Sequence, residues 1–478
     1  MRSSIRLFVL AALGATTLEA QAARPDTVAD PHRWLEEMTG DRAMAWVRAE
    51  NVKTANVLEN DPRFAEIHAA ALKMAQARDR IPYVTFINGA LYNFWQDSAH
   101  VRGIWRKTSL ASYRTASPTW VTVLDLDALA KKEDANWVWG GASCRRPAED
   151  HCLISLSDGG EDARTLREFD LDTQRFVTNG FVLPKGKQNV SWMSPDTLLV
   201  AREWVPGEMT TSGYAYVVRK LGRGQSLAQA REVFRGTPRD VRVAPVSVTD
   251  AEGRRLSMIL RGTSFFESEY HLVRGNEVTR MHIPQKAGVV GMLDGQVLVQ
   301  LSEPWTQGAT TIASGALASF DAANAMRAPM ALSPVAVIEP GPRESIENVS
   351  ATKDRLLVGI TRNVIGQVLS FARGANGSWT RTALKLPDNV STNIVDTDRR
   401  SNRAFIGITG YLTPSSVWLA DAGTFAVSQV KSLAPRFDAS RAEVQQLEAT
   451  SSDGVKVPYF VVRPKEMRLD GSNPTILY

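Results

Sequence analysis

Leu293-Asp294-Gly295-Gln296-Val297-Leu298-Val299-Gln300-Leu301 reads as a tight turn followed by a strand-length apolar run. Asp-Gly is among the strongest short-range hairpin signals, because both central residues of the preferred turn need positive φ. The same texture extends in both directions. Asp250-Ala251-Glu252-Gly253, Arg274-Gly275-Asn276 and Gly374-Ala375-Asn376-Gly377 each separate two β-branched or aromatic runs of strand length. From Ile81 to about residue 445 helical periodicity is nearly absent, apart from short helical stretches expected at Asp125–Asp134 and Ser226–Glu232. A region of about 365 residues built from hairpins is too long for one sandwich, whereas seven four-stranded blades give roughly 50 residues each. The expected fold is therefore mainly β, a seven-bladed β-propeller over 81–445. No repeated dipeptide marks the blades, so two consecutive sandwiches are the alternative architecture.

The flanks differ from this middle. Arg2 and Arg6 precede an apolar run from Leu7 to Leu18, and Ala20-Gln21-Ala22 supplies a small-residue cleavage pattern, so 1–23 reads as a secretory signal. A periplasmic or secreted protein is expected, without stable membrane insertion, since no stretch approaches the roughly 20 apolar residues a spanning helix needs. Within 24–80, a helix is expected from about Asp41 to Leu58, with Ala43, Trp46, Val47, Thr54, Val57 and Leu58 on its inner stripe. A second is expected after Asp61-Pro62, with Phe64, Ile67, His68, Ala71, Leu72 and Ala75 forming a buried face. At the other end, 446–478 offers one strand at Val457–Val462 and another at Pro474–Tyr478.

The 56 basic and 51 acidic residues are interspersed and leave a formal charge of +5, with no basic stripe to suit nucleic acid. Only Cys144 and Cys152 occur, in a chain expected in an oxidising compartment. A local disulfide would stabilise by roughly 2.5 kcal/mol. Two free thiols are the alternative, and two cysteines without clustered histidines make a poor zinc site.

Specific motifs carry a resemblance. Asp30-Pro31-His32-Arg33-Trp34-Leu35-Glu36-Glu37, Ala45-Trp46-Val47 with Glu50-Asn51, and Asn93-Phe94-Trp95-Gln96-Asp97 are similar to the opening of the prolyl oligopeptidase family of serine peptidases. So are Gly103 to Arg114, Val123–Asp127 and Asn136–Trp139. Asp453-Gly454, Val457-Pro458-Tyr459 and Gly471–Tyr478 resemble the family's passage from propeller into α/β-hydrolase domain. The resemblance implies a propeller capping a hydrolase domain and admitting short peptides, which a Ser-Asp-His triad cuts after proline or a related residue; it implies no cofactor. The N-terminal helices would pack on that domain, and 446–478 would begin it.

The same resemblance places the triad downstream of Tyr478, so no catalytic residue is assigned within the chain. No G-x-S-x-G occurs, and the last of six histidines is His282. The family's G-Y-G-G-F, whose tyrosine helps hold the oxyanion, would follow Leu477-Tyr478. The expectation is the propeller portion of a peptidase, truncated and inactive alone; the alternative is a free-standing periplasmic propeller that binds peptides or glycans.

Other candidates have plain readings. Glu36-Glu37 suits a helix start better than a grip on a substrate amino terminus. His68 is expected to pack on an apolar stripe, and His151 beside Cys152 gives too few ligands for a metal. The tryptophans, spread through strands, suit a core better than a binding groove. Ser157-Asp158-Gly159-Gly160 is a turn. Asp97, Arg202, Glu203 and Arg219 are candidates to face a central tunnel.

Overall fold

The computed structural model describes residues 30–478 except 38, 78 and 436. The export signal expected at 1–23 lies outside the described residues. The chain divides near residue 77 into two compact units.

The first unit holds a 3-10 turn, Arg33–Glu36, and two helices, α1 (Asp41–Leu58) and α2 (Phe64–Ala75). Trp34 meets Trp46 edge to face at 6.1 Å, and the Arg42 guanidinium lies 4.3 Å above the Trp34 ring. The Asp61 carboxylate accepts the Arg63 N–H at 2.9 Å, and the helix proper begins at Phe64. The periodicity located both helices but misjudged most of their surroundings: on α1 Ala43 is buried as expected, whereas Trp46, Val47, Val57 and Leu58 are exposed. No residue of α2 is buried, Ile67 is 62% exposed, and His68 stacks on Phe64 at the surface rather than in a core. An apolar stripe reports a face fit for burial; a partner surface decides whether it is buried.

The second unit is a seven-bladed β-propeller. Its blades span 85–125, 137–186, 189–235, 242–280, 287–338, 344–383 and 391–432. In each, antiparallel strands follow one another in sequence order, and the turns explain why. At the opening hairpin Asp294 and Gly295 have φ of 46° and 71°, and Leu293 pairs with Gln296. Two positive φ values make a turn whose twist matches that of the strands it joins. Blade 2 adds a fifth strand, Val182–Gly186, and blade 5 inserts a small hairpin, Trp305–Gln307 with Thr310–Ile312.

The first strands of blades 3 to 7 touch one after another and that of blade 7 touches that of blade 1, which puts the first strands innermost. Between blades lie apolar layers, such as Leu256, Met258, Leu272, Val297, Val299 and Phe320 between blades 4 and 5. Blades 1 and 7 share no strand. Their seam is made by side chains: Phe86 stacks on Phe405 at 4.9 Å, with Val84, Leu91, Tyr113 and Val417 around them. The Phe86 N–H also donates to Asp396 Oδ2 at 2.6 Å.

A short helix, α3 (Leu110–Tyr113), supports blade 1, and α4 (Leu126–Glu133) occupies the stretch expected to be helical, capped by Asp125 accepting the Ala128 N–H at 2.9 Å. The second expected helix is only a 3-10 turn, Leu227–Gln229. Strand pairing takes Arg231–Arg235, which form the blade's outer strand. The seven sheets end at Ser432. Ala442–Thr450 pairs instead with Lys456–Pro464 in a separate two-stranded sheet, which contains the strand expected at Val457–Val462. The strand expected at Pro474–Tyr478 does not form; those residues find no ladder partner among the described residues, and a lone strand leaves its backbone groups unpaired.

Candidate functional site

The propeller presents two faces, set by strand order. The chain enters through 79–84 and leaves through 433–441 on one face, here the near face. The loops joining second to third strands share it. The turns joining first to second and third to fourth strands lie on the far face.

The near face carries the longer loops and exposed aromatic rings. Phe265 and Phe266, between the second and third strands of blade 4, are 83% and 77% exposed, and Tyr214 and Tyr411 are also exposed. Apolar rings left in water at a loop tip suit contact with another surface. The two-stranded sheet rests here: Gln446 Nε2 donates to the Asn363 carbonyl at 2.8 Å, Arg343 pairs with Glu448, and Phe460 meets Tyr411 at 5.3 Å. Beneath it a cavity of about 510 Å³ is lined by Val364, Ile365, Val390, Thr409, Tyr411 and Phe460 among others.

Of the residues expected at the tunnel, none lies on an innermost strand. Asp97 sits in the near-face loop of blade 1, accepting N–H groups from Ala99 and His100 at 2.9 Å and from Trp95 Nε1 at 3.1 Å. Burial would raise its carboxyl, but a hydrogen bond with the His100 ring at 3.0 Å, with the bonds above, outweighs burial and holds it at about 2. Arg202 and Glu203 follow the second strand of blade 3. Arg219 lies on the third strand, with its guanidinium 4.8 Å from the Trp204 ring. Burial pulls the Arg202 guanidinium below its ordinary value. An apolar alternation cannot tell a blade's first strand from its third, so strand position was beyond sequence reading.

Several tryptophans are core. Trp105, Trp192 and Trp305 are buried between strands and blades. Trp95 and Trp120 instead sandwich Arg106 at 4.5 and 4.2 Å, and burial draws that guanidinium down to about 10. Cys144 and Cys152 face each other across the first two strands of blade 2 and are joined as a disulfide. Among the described residues no three His, Cys, Asp or Glu side chains gather as a metal site. No described helix is long and apolar enough to cross a membrane.

Sequence reading missed the Phe265-Phe266 pair, although two adjacent phenylalanines between turn residues were a usable signal.

Seven blades with no strand shared across the closing seam, followed by a two-stranded sheet seated on the face where the ring's ends meet, define a β-propeller protein. Residues 16–432 match the prolyl oligopeptidase N-terminal β-propeller domain, and the chain belongs to that family. It is 43% identical over 456 residues to a protein of Sinorhizobium fredii named as an uncharacterized peptidase, covering 94% of this chain and 63% of the relative. A Rickettsia prowazekii protein of similar name is 27% identical over 460 residues, covering 93% of this chain and 63% of its own length. Among solved structures, a post-proline cleaving enzyme from Rickettsia typhi superposes with a TM-score of 0.83 at 27% identity, over 92% of this chain and 66% of that one. Oligopeptidase B from Leishmania major, at 12% identity and a TM-score of 0.69 over 92% of this chain and 61% of that one, shares the fold. The chain thus spans under two thirds of the length of these relatives.

Proposed function

We propose that this propeller is the substrate-gating part of an exported serine peptidase that acts on short proline-containing peptides, the chemistry being supplied by a Ser-Asp-His triad on a hydrolase domain. One observation carries the reading: chain ends, exposed aromatic loops and an added two-stranded sheet converge on one face of the ring. A ring whose tunnel opens toward that face admits an extended peptide and excludes a folded one by size. The exposed stripes of α1 and α2 suit burial against the same hydrolase domain. Export is supported by the charged, apolar and small-residue pattern of 1–23. These 478 residues contain no G-x-S-x-G, and none of the six histidines follows His282, so by themselves they offer neither nucleophile nor base in the order the family uses.

Two measurements test this. The 478-residue chain is expected to take up no fluorophosphonate probe and to release no chromophore from a proline-containing peptide; stoichiometric labelling overturns the inactivity. Fused to the remaining third of the Sinorhizobium fredii relative, the propeller is expected to allow cleavage of short proline-containing peptides and to protect folded proteins. Equal cleavage of both would defeat the gating role.

A further inference from the structure

One far-face loop touches residues of three other blades. Arg145–Asp150 joins the first two strands of blade 2, and the Cys144–Cys152 disulfide closes its base. Inside the loop, Arg145 Nε and Nη2 donate to the two Asp150 oxygens at 2.6 Å each, and the Glu149 N–H donates to the Arg145 carbonyl at 2.8 Å. The loop is therefore braced as a unit.

Its outward contacts reach across the ring. Glu149, 7% exposed, accepts the Asn88 N–H of blade 1 on Oε2 at 3.0 Å. Arg400 of blade 7 donates from Nη2 to the Ala148 carbonyl at 2.7 Å. Arg255 of blade 4 donates from Nη2 to the Arg146 carbonyl, and from Nη1 to the Met193 carbonyl of blade 3 at 2.8 Å. Pro147 packs so closely on blade 4 that a Cβ added at Gly253 would lie 3.3 Å from its Cγ. Blades 4 and 7 stand two places away from blade 2 in opposite directions. Arginines reaching it from both sides place the loop toward the axis on this face.

We propose that the Arg145–Asp150 loop is a fixed plug that shuts the far mouth of the propeller tunnel to peptides, leaving the near face as their route. The proposal deepens the gating role proposed above, naming the element that sets the direction of access. Its seat is polar and charge-assisted, contributed by several blades, with main-chain carbonyls satisfied by arginines that would otherwise face an open mouth. A loop so anchored does not open by fraying, because each anchor sits on a different blade.

The test needs no catalysis, so its result is separable from the fate of the peptidase reading. Val290, 37% exposed and on the innermost strand Ala287–Leu293 of blade 5, accepts a reporter as Val290→Cys, kept under non-reducing conditions. Its labelling by a peptide-sized maleimide is compared with that by N-ethylmaleimide in three chains: plug intact, residues 145–150 replaced by Asn-Gly, and Glu149→Ala with Arg400→Ala. The Asn-Gly chain is expected to gain about tenfold in the ratio of large-to-small labelling, the double variant less, as local opening admits the larger probe. Because the near face admits the probe in every chain, an unchanged ratio in all three together with unchanged hydrogen exchange at 86–90 in the double variant overturns the plug. Should the Asn-Gly chain fail to fold, hydrogen exchange of the double variant decides. Exchange at 86–90 is expected to quicken about tenfold as the Asn88 amide loses its acceptor, and unchanged exchange overturns the proposal.

Discussion

At Asp396, on the innermost strand of blade 7, burial pushes the carboxyl up to about 6, against the opposing hydrogen bonds of the Phe86 and Thr397 N–H groups. The unfolded chain loses that proton near the ordinary value of 3.8. Between the two values the folded state holds a proton the unfolded state has released, so rising pH weakens folding across this window. Relative to Asp396→Asn, the natural chain is expected to lose about 2 kcal/mol between about pH 4 and about pH 7, read from urea midpoints at the two pH values. A difference independent of pH would mean the carboxylate is solvated. Glu168 makes the opposite case: its side chain is fully buried and is held by Arg223 through bonds of 2.8 and 2.9 Å, while Oε2 also accepts the Phe181 N–H. Arg223→Ala leaves that acid buried without its cation and is expected to cost about 3 kcal/mol in the same assay; Glu168→Gln with Arg223→Met should cost less, because no charge is stranded. Neither pairing was legible beforehand, since 310 residues separate Phe86 from Asp396 and 55 separate Glu168 from Arg223.

Hairpins were the most legible elements. Every turn read from Gly, Asn and Asp joins two paired strands, because positive φ is a local property that a dipeptide can announce. The seam between blades 1 and 7 is the opposite kind of element. Phe86 and Phe405 are far apart in sequence, and only ring closure stacks them. Since no shared strand bridges the seam, Phe405→Ala is expected to cost about 3–5 kcal/mol and to speed hydrogen exchange first in Thr85–Ile87 and Ser391–Thr397. Uniform exchange across all blades would show that the seam has no separate weakness. The far rim is tied differently: Arg254 holds Asp250 at 2.6 Å and Asp294 at 3.0 Å, and Arg373 reaches Asp294 at 3.2 Å, linking blades 4, 5 and 6.

At the scale of the whole molecule, uncovered apolar surface is concentrated in α1, α2 and the two-stranded sheet, where Trp46, Val57, Ile67, Met74, Val457 and Tyr459 are exposed. Trimming the chain to about 80–441 is expected to raise soluble yield and lower self-association in analytical ultracentrifugation, because those patches go while every blade stays whole. Worse solubility would assign the removed segments a packing role within this chain. The proposed gating role draws on a second asymmetry, between a far face on which the Arg145–Asp150 loop joins several blades and a near face with bare aromatic loops.

The sequence alone determined the hairpin repeat, the propeller it implies, the two opening helices and the family, because turns, periodicity and motifs are local. Ring closure determined the rest. Asp97, Arg202, Glu203 and Arg219 fell off the innermost strands, the α2 stripe stayed bare, and an ordinary polar loop between two cysteines came to bond with residues of blades 1, 4 and 7. Each of these depends on which residues distant in sequence are brought together, and that is fixed only when seven sheets meet around one axis.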